Sequence, residues 1–200
     1  MWGREARKPW VPCRAMDRLP SSAAFIAGRM EERLITPPSP GLGMGKVLIT
    51  MTGRSVWGLF NSAWASIRQF DFLPDKVYVL TAGCGTDRGR MVREMLIVLL
   101  REHGSPAEVE LLEVPEDDIK EIGRLARETV ERENALGNEV AIDVTPGTKA
   151  TVLGTVIGAG KGRVDHIFYL HIDSLRNASR PYLEIPLGLQ RSHDVRREVL

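Results

Sequence analysis

The chain lacks most of the features that identify a protein at sight. Its 200 residues contain only 2 cysteines, Cys13 and Cys84, far apart and outside any C-x-x-C pair. This excludes a disulfide scaffold and a cysteine-built zinc site, and it fits a reducing, cytoplasmic setting. Charge of one sign is also missing, since 27 Lys and Arg against 26 Asp and Glu leave a formal net charge of +1. No global field therefore draws in duplex nucleic acid or a membrane surface, and any bound anion must be held by a local site. No uninterrupted apolar run reaches spanning length and the mean hydropathy is -0.14, which excludes a transmembrane helix.

Familiar motifs are sparse too. There is no G-x-G-x-x-G fingerprint, so a nicotinamide or flavin has little support, and no G-x-S-x-G elbow or H-E-x-x-H metal pair. The segment from Gly41 to Val47 fails as a phosphate loop, because valine stands where Ser or Thr is required and a strand follows it. His166 and His171 lie an odd number of residues apart on an expected strand, so they face opposite sides and cannot share a metal. No metal and no cofactor is expected.

What is present is the composition of a soluble globular protein, 43% hydrophobic and 26% charged. Residues 1–43 stand apart. They hold half of the 12 prolines, with Trp2, Trp10 and scattered arginines, and no apolar core of a secretory signal. They read as a poorly ordered extension or as a start assigned too early, with Met44-Gly45-Lys46 a natural beginning. The domain is then 44–200.

From Val47 the pattern alternates strand and helix. Strands are expected at Val47 to Met51, Lys76 to Thr81, Val109 to Val114, Val140 to Val144 and Val164 to Ile172, with a sixth at Pro181 to Ile185. Helices are expected at Trp57 to Ile67, Asp87 to His103, Asp117 to Ala135 and Thr148 to Gly160. Repeated strand–helix–strand units mean an α/β fold with a largely parallel sheet of about six strands and helices on both faces. Ligands in such folds bind beyond the carboxyl ends of the strands, which singles out Thr52 to Val56, Ala82 to Arg90 and Thr145 to Lys149.

The most informative segment is Asp143-Val144-Thr145-Pro146-Gly147-Thr148-Lys149. Thr145 is suited to cap the following helix and Pro146 to its first position. Gly147 permits close approach to the backbone, Thr148 offers a hydroxyl and Lys149 a charge beside free amides, the parts of a phosphate cradle. On pattern alone, that reading and a plain helix start with a solvated lysine stand level. Thr52-Gly53-Arg54-Ser55 adds hydroxyls, a close-approach glycine and a guanidinium, again balanced against an ordinary turn. Cys84 has no sequence-adjacent histidine and reads as an unreactive loop cysteine. Gly154 and Gly158, one turn apart, read as a close-packing face. The run Glu116-Asp117-Asp118 reads as capping and charging the third helix.

Taken together, these segments resemble the CARF family, the Rossmann-like sensor domains of CRISPR systems. The likeness runs from about Lys46 to Leu187 and rests on the hydroxyl-rich first loop, the D-x-T-x-G-T-K element from Asp143 to Lys149, the strand Asp165 to His171, and Arg180 to Pro186 as the last strand. Pro146 departs from it, where a small residue is often found. The resemblance implies a Rossmann-like three-layer fold and a cytoplasmic homodimer that binds a cyclic oligoadenylate across its two-fold axis. It implies that Thr145, Pro146, Gly147, Thr148 and Lys149 hold phosphates and riboses, facing Thr52, Gly53, Arg54 and Ser55, with Thr86 at the edge. None of the 4 histidines follows an arginine at the spacing of a HEPN ribonuclease. A stand-alone form is similar to ring nucleases, in which a ribose 2′-hydroxyl attacks the adjacent phosphate without a metal. Lys149 would then stabilise charge while Arg54 or Ser55 positions the phosphate. The alternatives are a sensor acting through a protein effector, and a nucleotide or phosphoribosyl enzyme. The last lacks its second acid, because Ile142 occupies that place.

Overall fold

A computed structural model describes residues 45–82, 86–160, 164–174 and 176–199. The expectations for the extension at 1–43 and for Cys84 fall outside the described residues. Six strands form one sheet: β1 (Lys46–Met51), β2 (Lys76–Thr81), β3 (Glu108–Glu113), β4 (Glu139–Asp143), β5 (His166–Ile172) and β6 (Gln190–Asp194). The helices are α1 (Val56–Phe70), α2 (Asp87–Glu102), α3 (Ile119–Ala135), α4 (Lys149–Ala159) and the short α5 (Val195–Val199).

The strand order is β3-β2-β1-β4-β5-β6, parallel throughout except for β6, which runs antiparallel to β5. The expected α/β, Rossmann-like, mostly parallel sheet of six strands is therefore present. Its central strands are buried on both faces, which is why they read as continuous apolar runs. Leu48, Val77, Val79 and Ala141 pack with Leu59, Val92 and Leu96 of α1 and α2. Val47, Ile49, Leu80, Val140 and Ile142 pack with Ile122, Leu125 and Val130 of α3. No described helix is long and apolar enough to cross a membrane.

The sixth strand is not where the sequence suggested. Pro181 to Ile185 contains a 3-10 turn (Tyr182–Glu184), and the strand lies later, at Gln190–Asp194. Tyr182 and Ile185 are apolar because the turn buries them, with Tyr182 joining Ala65 and Leu170 in a small cluster. The polar β6 is held at its end by Asp194. That carboxylate accepts from the Ile167 amide at 3.3 Å and meets His166 Nδ1 at 2.7 Å, while His166 Nε2 meets Glu139 at 2.7 Å.

Two glycines of α4 perform the close packing expected of them. A Cβ on Gly158 would stand 2.2 Å from the Gly123 carbonyl oxygen of α3, and one on Gly154 would stand 2.9 Å from that of Ile119. The backbones of α3 and α4 thus approach where side chains would separate them. Asp118 caps α3 by accepting from the Glu121 amide at 3.0 Å, the capping expected of the acidic run.

Candidate ligand-binding site

With β2 on one side of β1 and β4 on the other, the crossovers diverge between β1 and β4. Their carboxyl ends carry the loops 52–55 and 144–148. These loops touch. A Cβ on Gly53 would lie 1.5 Å from the Pro146 carbonyl oxygen and 2.7 Å from its carbonyl carbon. Only a residue without a side chain allows that approach.

The second loop is fixed from below by Asp143, which is 1% exposed. Its Oδ2 accepts from the Thr50 hydroxyl of β1 at 3.0 Å and the Ser62 hydroxyl of α1 at 2.5 Å, while Oδ1 accepts from the Thr145 amide at 3.0 Å. Burial raises the Asp143 carboxyl above the usual aspartate range, against the opposing pull of these donors. The acid of the D-x-T-x-G-T-K element thus ties β1, β4, α1 and the loop together.

Thr145 does not cap α4. Its hydroxyl accepts from the Leu170 amide at 2.9 Å, joining the loop to β5, and α4 is capped instead by Thr148, which accepts from the Thr151 amide at 3.2 Å. Pro146 is accordingly a buried loop residue rather than the first residue of the helix. A Cβ on Gly147 would meet Met51 Sδ at 2.2 Å and Val152 Cγ2 at 2.7 Å, so the space this glycine leaves is filled by the protein. Lys149 opens α4 and is exposed.

A cavity of about 320 Å³ opens above β1 and β2. Leu80, Ala82, Val114 and Pro115 make its apolar wall, and Thr52, Arg54, Arg88, Glu116, Thr148 and Thr151 contribute its polar groups. Thr52 donates to the Thr81 hydroxyl at 3.0 Å. Arg88 donates to the carbonyl oxygens of Gly53 and Arg54, each at 3.3 Å, so α2 holds the first loop in place. Arg54 and Arg88 also border a shallower groove of about 490 Å³ with Ser55, Asp87 and Met91.

The structure therefore brings Thr52, Gly53, Arg54 and Thr148 to one cavity. Ser55 borders the adjoining groove and caps α1, accepting from the Trp57 amide at 3.2 Å. Thr86 caps α2, accepting from the Gly89 amide at 3.2 Å. Lys149 is not among the residues that line either space. Thr151 and Glu116 line the cavity without belonging to either loop expected to form it. Thr151 follows Thr148 by three positions on a helix, a spacing that signals a shared face, whereas Glu116 was hidden within a run of acids.

No family model matches the chain, and no curated protein matches it. Among solved structures it is similar to a type III CRISPR defence DNA nuclease activated by cyclic oligoadenylate, with 21% identity and a TM-score of 0.46 over 66% of this chain and 19% of that one. It is also similar to protein VC1899 from Vibrio cholerae, with 14% identity and a TM-score of 0.48 over 62% of this chain and 30% of that one. A third likeness is to Enterococcus italicus Csm6 bound to cyclic hexa-2'-fluoro-hexa-dAMP, with 14% identity and a TM-score of 0.46 over 66% of this chain and 34% of that one. The chain spans between a fifth and a third of the length of these proteins. Likeness at this identity and TM-score assigns no function.

Proposed function

We propose that this chain is a CARF-type domain that binds a cyclic oligoadenylate as a homodimer. The observation that carries the reading is the convergence of the two loops chosen from sequence, with Arg54, Arg88 and Thr148 lining one cavity at the carboxyl edge of the sheet. Two guanidiniums, hydroxyls and the start of α4 suit phosphate and ribose, and an apolar wall suits a base. Doubling this edge about a two-fold axis matches a ring of repeated phosphates.

Within this reading the domain cuts its ligand. A ribose 2′-hydroxyl gives up its proton to water as its oxygen attacks the adjacent phosphorus, the bond to the 5′-oxygen breaks, and that oxygen takes up a proton from water. The products carry a 2′,3′-cyclic phosphate and a 5′-hydroxyl. Arg54 and Ser55 position the phosphate, and Lys149, exposed at the start of α4 and outside the lining of both spaces, would have to reach in to stabilise the developing charge. A second reading, a sensor that holds the ring intact for a protein effector, is favoured by two observations. Ser55 already serves as a helix cap, and no histidine lines the cavity among the described residues. For a phosphoribosyl enzyme the place of the missing acid is filled by Ile142, fully buried in the core.

Purified protein mixed with cyclic tetra- or hexa-adenylate, with retention and products followed together, separates these readings. Binding with linear product supports the nuclease, and binding with intact ring supports the sensor. No binding of either ring overturns the proposal. Cleavage by Lys149→Ala at the wild-type rate would remove the lysine from the chemistry while leaving the binding reading in place.

A further inference from the structure

The outer face of α4 is apolar and open to solvent. Leu153 is 51% exposed and Ile157 is 73% exposed, and the helix, KATVLGTVIGA, has no charged residue beyond Lys149. The neighbouring helices meet solvent in the ordinary way, with exposed Arg93 and Glu94 on α2 and Arg127 and Glu131 on α3. The side of α4 that faces α3 is already occupied, because Gly154 and Gly158 pack there.

Lys149, Leu153 and Ile157 follow one another at intervals of four, so the exposed lysine heads the same row as the two apolar side chains. Thr148 and Thr151, at that end of the helix, line the cavity. The row therefore starts beside the candidate site and runs away from the carboxyl edge of the sheet. A second copy of the chain fits this row in one orientation. A two-fold axis lying along α4 sets the two helices parallel, each side chain of the row against its own counterpart. It also turns both cavities to the same side and brings the two Lys149 ammonium groups together, where an anion bound between them relieves their repulsion. A two-fold axis across α4 instead separates the two cavities and the two lysines.

We infer that the Leu153–Ile157 row of α4 is the face through which two copies of this chain pair, with the helices parallel and both Lys149 side chains at the two-fold axis. The inference rests on the homodimer of the proposed function. It adds which face forms that dimer, and how Lys149, which lines neither space of a single copy, comes to face the ligand. The 11 residues of α4 span about 16 Å, so the contact falls below the roughly 800 Å² per partner of stable complexes, and dissociation at about 10–100 μM is expected without ligand.

Analytical ultracentrifugation of the full chain, without and with cyclic tetra- or hexa-adenylate, tests this on wild type, Leu153→Glu, Ile157→Glu and Lys149→Ala. Val98→Glu is the control, since Val98 of α2 is 60% exposed on another helix. All of these side chains are exposed, so the variants should unfold with the wild type. Wild type and Val98→Glu are expected to dimerise alike. Leu153→Glu and Ile157→Glu should stay monomeric and bind the ring at least tenfold more weakly. Without ligand, Lys149→Ala should dimerise about threefold or more tightly than wild type, because the like charges at the axis are gone. Dimers of the glutamate variants as tight as wild type, an equal loss in Val98→Glu, or no tightening in Lys149→Ala overturns this interface while leaving the ligand reading standing. A wild type that binds neither ring yet dimerises through α4 overturns the ligand reading and supports the interface. A wild type that stays monomeric at about 1 mM, with or without either ring, overturns both the interface and the homodimer.

Discussion

Replacing Gly53 with alanine adds a single methyl group at the most crowded point of the site. The new Cβ would stand 1.5 Å from the Pro146 carbonyl oxygen, 2.7 Å from its carbon and 3.6 Å from its Cα. All three obstacles are backbone, so no side-chain rotation relieves them. The 144–148 loop is also anchored by Asp143 and by the bond between Thr145 and Leu170. The two loops must part by about 1.5–2 Å, and overpacking of this kind costs roughly 1–3 kcal/mol, occasionally more. For a domain of this size that corresponds to a fall in Tm of about 2–12 °C. Gly188→Ala is the control, since a Cβ there meets nothing within 4 Å. Chemical denaturation and ligand titration of the two variants together check the reasoning. Gly53→Ala should lose stability and at least tenfold in cyclic oligoadenylate affinity, while Gly188→Ala stays within about 0.5 kcal/mol of wild type. A Gly53→Ala protein as stable and as competent in binding as wild type would refute the close contact of the loops.

Other perturbations follow from the buried polar groups. Asp143→Ala leaves donors from Thr50, Ser62 and Thr145 without their acceptor and should cost about 3–5 kcal/mol in denaturant unfolding. Because burial raises this carboxyl, the folded state holds its proton more tightly than the unfolded chain. The contribution of Asp143 to stability therefore falls as pH climbs from the ordinary aspartate range to the raised value, and Asp143→Asn should remove that slope. Glu133 behaves in the opposite sense. Burial works to raise its carboxyl, but hydrogen bonds from Tyr78 at 2.5 Å and Asn138 at 2.8 Å, with Lys76 and Arg132 nearby, leave it lowered. Its stabilisation is complete above the ordinary glutamate range and is lost as pH falls through the lowered value. Tyr78→Phe should cost about 1–3 kcal/mol and move acid unfolding to higher pH. His166→Ala strips both Glu139 and Asp194 of a partner. It should loosen β6 and α5, seen as faster amide exchange there, at a cost of about 1–3 kcal/mol.

The fold was legible wherever burial writes a pattern. β1, β2 and β4 are covered on both faces, so their apolar runs read as strands. β6 is an antiparallel edge strand of sequence QRSHD, whose only fully buried residue is Asp194, so it carries no hydrophobic signature. The apolar run at Pro181 to Ile185 did carry one, because a 3-10 turn can bury Tyr182 and Ile185 as well as a strand can. The two candidate caps of α4 show the same limit at finer scale. Thr145 and Thr148 both satisfy the local rule, and the choice is made by the Leu170 amide of β5, far away in sequence. Which loops form the candidate site was legible from strand order and loop chemistry. Which of their residues turn outward was not, because Asp143, Pro146 and Gly147 face partners on β1 and α1 that only the assembled sheet supplies.

Phosphate binding by Arg54 and Arg88 at the switch point of the sheet underlies the proposed function. Calorimetric titration of wild type and of the Arg54→Ala/Arg88→Ala double variant with cyclic tetra- and hexa-adenylate tests it most directly. Saturable wild-type binding of one ring per two chains is expected. A loss of at least tenfold is expected in the variant, because each charge-assisted hydrogen bond is worth about 1.5–3 kcal/mol. Wild-type and variant titrations that coincide, whether both bind or neither does, would contradict it.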